Sequence, residues 1–329
     1  MQFDMCTSRG GPLSSDARYD PPGHTPTSLA PPPYISAPMT RRFTRLARTA
    51  AIFTYLLIIL GAIVRITGSG LGCGEHWPLC NGKLLPPLDL PTMIEYGHRL
   101  AAAAVSGLVT ALAVYGWWLR HRPPPPSTAL HRPGVAAYVA LMLLVLQVGL
   151  GAVTVKLSLP PWTVILHLGT AMLLLATLLV AARPANLTPG ASPGITEPPI
   201  TPGSRPGLVG IVAVVLGFAT VLLGALTANL GAASACVGFP LCNGQVIPAG
   251  NELQVVHWVH RLLAYTLFGC VLWWAVSTKR RGAWYVAGLV TLQVAVAAGM
   301  VLLALPPPLQ AAHVAVGTAV WAGLVLAVL

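Results

Sequence analysis

Four histidines, His98, His167, His260 and His313, carry the chain's best prospects for chemistry. Each follows the start of an apolar, helix-forming run by a similar distance: seven residues after Pro91, six after Pro161, nine after Asn251 and five after Pro308. At about 1.5 Å of rise per residue, all four lie roughly 8 to 14 Å into their helices. An imidazole at membrane depth is costly without a partner, so its presence argues for function. Two imidazoles facing each other across a helix bundle suit the two axial positions of a haem, whose flat apolar ring fills a core of Leu, Val and Ala. A hydrogen bond to a neighbouring helix would explain one such histidine, but four at matched places make that account weaker. Zinc and copper are poorer fits, because neither group of histidines has a nearby bundle cysteine to complete a ligand set.

Two of these histidines stand in related phrases, "IEYGHRL" from Ile94 and "VHWVHRL" from Val256. At an offset of 162, the first phrase carries Glu95 where the second carries His257. Glu95 and His98 are three residues apart and share a helical face. A negative charge near a helix start is favoured on its own account, but Pro91 and Thr92 open this helix and Glu95 lies a turn deeper. A chemical role for Glu95 is the better reading. Arg99 and Arg261, next to two ligand candidates, fit either carboxylate groups on a bound haem or snorkelling toward the interface. Arg65 in "VRITGSG" has the same two readings. His24, His76, His121 and His131 read as solvated surface.

Cys73 with Cys80 and Cys236 with Cys242 form two short-range pairs, six and five residues intervening. In exported loops such pairs read as disulfides rather than zinc ligands, their spacing being wider than CxxC. Cys6 falls in a tail, and Cys270 in an apolar run reads as a small apolar residue.

The elements that must position these residues follow from composition. Of 329 residues, 55% are hydrophobic and only 8% charged, far from the balance of a water-soluble protein. The apolar residues fall into eight blocks near the length of a bilayer-spanning helix, at about 45–66, 92–119, 135–156, 161–182, 207–229, 252–277, 283–304 and 308–329. Of the 19 Lys and Arg residues behind the net charge of +11, twelve fall in four clusters: Arg41, Arg42, Arg45 and Arg48, then Arg120, Arg122 and Arg132, then Arg183 and Arg205, then Lys279, Arg280 and Arg281. These clusters all lie on one side of such a membrane, which the positive-inside rule makes the cytoplasm. Basicity therefore sets topology and does not point to nucleic acid. Both termini are expected inside and both cysteine loops outside. Residues 1–40, rich in Pro, Ser and Gly, read as a disordered tail.

The chain repeats itself. "CGEHWPLCNG" from Cys73 answers "CVGFPLCNG" from Cys236, and "LQVGLGAVTVKLSLPPWTVILHLGTA" from Leu146 answers "LQVAVAAGMVLLALPPPLQAAHVAVGTA" from Leu292. The expected architecture is an all-α integral membrane protein: residues 41–183 and 207–329 each a four-helix half, joined by a linker at 184–206. With an even number of spans per half, a pseudo-twofold axis should run along the membrane normal.

On "GAIVRITGSGLGC", "WPLCNG", "IEYGHR", the paired loop cysteines and one matched histidine on each even-numbered helix, residues 45–329 resemble the haem A synthase family, membrane enzymes serving cytochrome oxidase assembly. The resemblance implies oxidation of a haem O methyl group to a formyl group through an alcohol. It implies haem b held by His260 and His313, substrate haem O between His98 and His167, and Glu95 as catalytic carboxylate. Such a carboxylate could stabilise an electron-poor carbon or accept its proton. It further implies a multi-pass plasma-membrane protein, with haem O synthase and cytochrome oxidase assembly proteins as partners. Two other readings remain: a non-catalytic dihaem b-type electron-transfer cytochrome, which needs the histidines but not Glu95, and a duplicated transporter, which leaves the histidines unexplained.

Overall fold

The structure, a computed structural model, describes residues 37–83, 86–121, 134–183 and 207–329. Most of the expected tail and the whole expected linker at 184–206 lie outside the described residues, with Cys6, His24 and His131. Eight helices run in order: α1 Ala37–Ile66, α2 Leu90–His121, α3 Gly134–Lys156, α4 Pro161–Ala181, α5 Leu208–Asn229, α6 Glu252–Thr278, α7 Arg281–Leu302 and α8 Pro307–Val328. All eight are long and apolar enough to cross a bilayer, and the described residues contain no strand. The protein is an all-helical, multi-pass membrane protein.

The helices end within two residues of their expected bounds, except the start of α1, which begins at Ala37 inside the stretch read as tail. The reason is amphipathic: Phe43, Thr44 and Ala47 are buried while Arg41, Arg42, Arg45 and Arg48 are exposed. A three-to-four-residue rhythm keeps the chain helical beyond its most apolar stretch.

α1, α2, α3 and α4 pack as a ring, each against the next and α4 back on α1; α5 to α8 do the same. The rings meet through α1, α4, α5 and α8. One buried core lies among α1–α4 and takes in Trp321 and Val325 of α8; a second lies among α5–α8. Outward faces carry exposed residues such as Ile52, Leu56, Met142 and Val215, as lipid contact requires. Trp117, Trp284 and Tyr285 are exposed near the arginine-rich helix ends, where interfacial aromatics belong.

Local sequence explains the opposite end. In the two cysteine loops, Asn81-Gly82 and Asn243-Gly244 all have positive φ, between 51° and 77°, and turn the chain between the paired residues Cys80/Lys83 and Cys242/Gln245. Asn-Gly is the pair that tolerates two such residues in succession. The α3–α4 and α7–α8 turns instead place Ser158-Leu159 and Ala304-Leu305 at φ near 60°. A left-handed side-chain-bearing residue costs about 1–2 kcal/mol. Here, Leu159 and Leu305 N–H groups donate to Thr154 and Met300 carbonyls at 2.9 and 2.8 Å, closing the helix ends, before Pro160-Pro161 and Pro306-Pro307 open the next helices.

Candidate functional site

Near the cysteine-loop end, the four histidines occur on α2, α4, α6 and α8. His98 and His167 belong to the α1–α4 ring, and His260 and His313 to the α5–α8 ring. Among the described residues no three His, Cys, Asp or Glu side chains gather as a metal-holding group.

Three of the four rings have a shaped wall. A methyl group added at Gly61 on α1 would stand 3.2 Å from His98 Cε1, one at Gly151 on α3 would stand 3.1 Å from His167 Cε1, and one at Gly224 on α5 would stand 2.8 Å from His260 Cε1. These glycines let an imidazole approach the neighbouring backbone closely. The Nδ1 atoms of His98, His167 and His260 are buried and lack a hydrogen-bond partner among the described residues. Buried polar nitrogens in that state call for a reason. Two glutamines complete the surroundings: Gln147 Nε2 lies 3.1 Å from His167 Nε2, and Gln293 Nε2 lies 3.0 Å from His313 Nδ1.

Glu95 is buried at the base of the first cysteine loop. Its Oε2 accepts the Cys73 N–H at 2.8 Å, and its Oε1 pairs with the Arg99 guanidinium at 2.6 Å. Arg99 Nη1 in turn donates to the carbonyls of His76 and Leu79, at 2.8 and 3.0 Å. The second half builds the same clamp from different parts. Arg261 donates from Nη1 to the Gly238 and Leu241 carbonyls and from Nη2 to Cys236 O, while its Nε–H donates to His257 Nε2 at 3.2 Å. His257 Nδ1–H donates to Ala232 O at 3.0 Å. Arg261 thus devotes most of its donors to loop carbonyls and Arg99 divides its donors between Glu95 and the loop, and each clamps a disulfide loop.

Both expected disulfides are present, Cys73–Cys80 and Cys236–Cys242, with Cα–Cα distances of 4.4 and 4.6 Å. Cys270 is a free cysteine. The first loop is also propped from α3–α4, where Ser158 Oγ donates to Glu75 Oε1 at 2.9 Å. Arg65, at the end of α1, reaches Gln310 Oε1 on α8 at 3.4 Å.

Sequence reasoning named the histidines, Glu95 and the arginines but passed over Gln147, Gln293, Gly61, Gly151 and Gly224. A signal for the glutamines existed: both stand in the "LQV" phrases 146 residues apart, as uncharged polar residues in apolar helices. The glycine walls depend on which helices are neighbours, which no spacing reveals.

A family model described as cytochrome oxidase assembly protein, COX15-CtaA, matches residues 44–325. The chain is 35% identical over 265 residues to a heme A synthase of Symbiobacterium thermophilum, an alignment covering 77% of this chain and 83% of that protein. It is 32% identical over 249 residues to a heme A synthase of Shouchella clausii, covering 74% and 79%. A third heme A synthase, from Alkalihalophilus pseudofirmus, is 30% identical over the same length and shares of the two chains.

Proposed function

Because the chain belongs to the COX15-CtaA family of cytochrome oxidase assembly proteins, we propose that it is a membrane oxidoreductase converting haem O to haem A. In this reading a ring methyl group is taken through an alcohol to a formyl group. The residues present fit two such porphyrins: two histidines in each helical ring, and glycine walls behind three of the four imidazoles.

His98 and His167 hold the substrate haem, with Gly61 and Gly151 fixing the ring planes. His260 and His313 hold haem b, with Gly224 behind His260. Haem b would supply one-electron transfer there; taking the methyl group to a formyl group consumes one water and releases four protons and four electrons, the electrons passing on to an external one-electron acceptor. Glu95, on the same helical face as His98 and about one turn toward the cysteine loop, accepts the proton released as the methyl group is oxidised. Arg99 holds one carboxylate oxygen in place and the Cys73 N–H the other. The arginine-rich helix ends face the cytoplasm and the disulfide loops the opposite side, in the plasma membrane. Haem O arrives from a haem O synthase, and haem A leaves toward cytochrome oxidase assembly proteins.

One observation carries this reading. In the second half a neutral His257 anchors the loop-clamping arginine, so a carboxylate is not needed for that task. Glu95 is an acidic group beyond what the scaffold requires, beside only one of two histidine pairs.

The test is the pigment of the purified protein. Haem b together with haem O or haem A is expected. Two equivalent haem b groups per chain, with neither of the others, would overturn the proposal in favour of an electron-carrying cytochrome.

A further inference from the structure

The proposed reaction requires one porphyrin that leaves and one that stays, yet the two histidine pairs are chemically alike. We infer that Gln147 and Gln293 make the difference: Gln147 competes for the nitrogen of His167 that iron needs, whereas Gln293 supports His313 from its other nitrogen. This inference rests on the proposed function and assigns the two glutamines as positioning residues.

The geometry differs between the halves at one point. Each glutamine lies 20 residues before the histidine it meets, on the preceding helix. Gln147 addresses Nε2 of His167 at 3.1 Å, leaving Nδ1 buried and unpartnered. Gln293 is nearest Nδ1 of His313, at 3.0 Å against 3.3 Å for Nε2. Nδ1 adjoins the side chain's own attachment, so a broad planar ligand reaches Nε2 with less obstruction from the histidine's helix.

Amide oxygen and nitrogen positions are interchangeable at an end such as these. The Oε1 atoms of both glutamines are buried and without a partner as placed. Turned over, the Gln293 amide presents its carbonyl to Nδ1–H. That fixes the tautomer with Nε2 bare and raises the ring's basicity, as a ligand histidine's second nitrogen is commonly used. No such turn helps at Gln147. With either amide atom facing it, His167 Nε2 is engaged, as acceptor or as donor, and an iron must displace that bond.

A hydrogen bond of this kind contributes about 0.5–1.5 kcal/mol net, which corresponds to roughly a two- to tenfold change in affinity. Iron binding at His167 is weakened by that factor and exchange is eased. At His313 the same side chain acts for retention. The substrate site is thereby tuned for turnover with ligands identical to those of the permanent site.

The experiment uses the full chain, purified with its haem b, in variants Gln147→Leu, Gln293→Leu and Gln293→Glu. Iron protoporphyrin IX is titrated into the vacant substrate site, and the haem b midpoint potential and low-spin electron paramagnetic resonance are recorded. Gln147→Leu should bind the added porphyrin roughly two- to tenfold more tightly, with haem b content and potential unchanged. Gln293→Leu should raise the haem b potential and speed haem b loss. Gln293→Glu, a stronger acceptor, should lower the potential, and it keeps the test alive if the leucine variant fails to accumulate. Added porphyrin binding unchanged or more weakly to Gln147→Leu would overturn the inference, as would the two Gln293 variants shifting the potential the same way or not at all. A wild-type protein devoid of haem would instead overturn the proposed function, so the two failures are separable.

Discussion

Glu95 and His257 occupy the same place in two copies of one clamp, and the comparison isolates what a carboxylate adds. Both anchor an arginine four residues on, which holds the preceding cysteine loop by its carbonyls. Glu95→Ala would remove chemistry and anchorage together. Removing one partner from a buried pair is expected to destabilise by about 3–5 kcal/mol, less here because Arg99 keeps some solvent contact. Glu95→Gln is the cleaner change, since its carbonyl oxygen still accepts from Arg99 or from the Cys73 N–H. The glutamine variant should fold, show the wild-type haem b spectrum and lose haem O conversion by about a hundredfold or more, the usual scale of a general base. Pigment analysis of cells expressing it checks this, and conversion at the wild-type rate would remove Glu95 from the reaction.

At the scale of helices, three of the four histidines depend on glycines of the preceding helix, and the three walls differ in tightness. A methyl group at Gly224 would approach His260 to 2.8 Å, closer than real contacts allow, whereas at Gly61 and Gly151 the approach is 3.2 and 3.1 Å. Gly224→Ala must therefore push the ring or the helix, at the roughly 1–3 kcal/mol typical of overpacking. It should lower haem b content, while Gly61→Ala and Gly151→Ala should leave haem b intact and weaken binding of added porphyrin more mildly. Haem content per chain and porphyrin titration check the ordering. These elements also show what was legible beforehand. Helix bounds were, because apolar runs end at Pro pairs, Asn-Gly turns and arginines. So were the disulfides, because the repeat placed them twice. The Glu95 bond to the Cys73 N–H was not, since it joins residues 22 apart through a loop whose path depends on Arg99. The early start of α1 was hidden because its alternating Arg and apolar residues dilute the hydropathy that marks a span.

Across the whole molecule, α1 touches both sites. Its Gly61 faces His98, its Tyr55 hydroxyl donates to Ala315 O at 2.9 Å, and its Arg65 meets Gln310, with Ala315 and Gln310 lying two and three residues from His313. The return link runs from α8, where Trp321 Nε1 donates to Met172 O at 2.8 Å on the helix that carries His167. Neither half is insulated from the other, so a change on α1 should be felt at the haem b proposed for the second half. Arg65 allows the sign to be worked out. Reduction of an iron porphyrin adds an electron, and a nearby cation favours the added negative charge. Arg65→Gln, which can still hydrogen-bond Gln310, removes that cation and should lower the haem b midpoint potential. Arg65→Lys should largely restore it. Raised salt should shrink the wild-type-to-variant gap only slightly, because a partly buried charge is poorly screened. Tyr55→Phe, a neutral change in the same seam, should leave the potential near the wild-type value while lowering thermal stability by the roughly 0.5–1.5 kcal/mol of one hydrogen bond. Redox titration of the three variants checks the argument. Equal potentials in Arg65→Gln and wild type would mean that α1 joins the halves by packing alone.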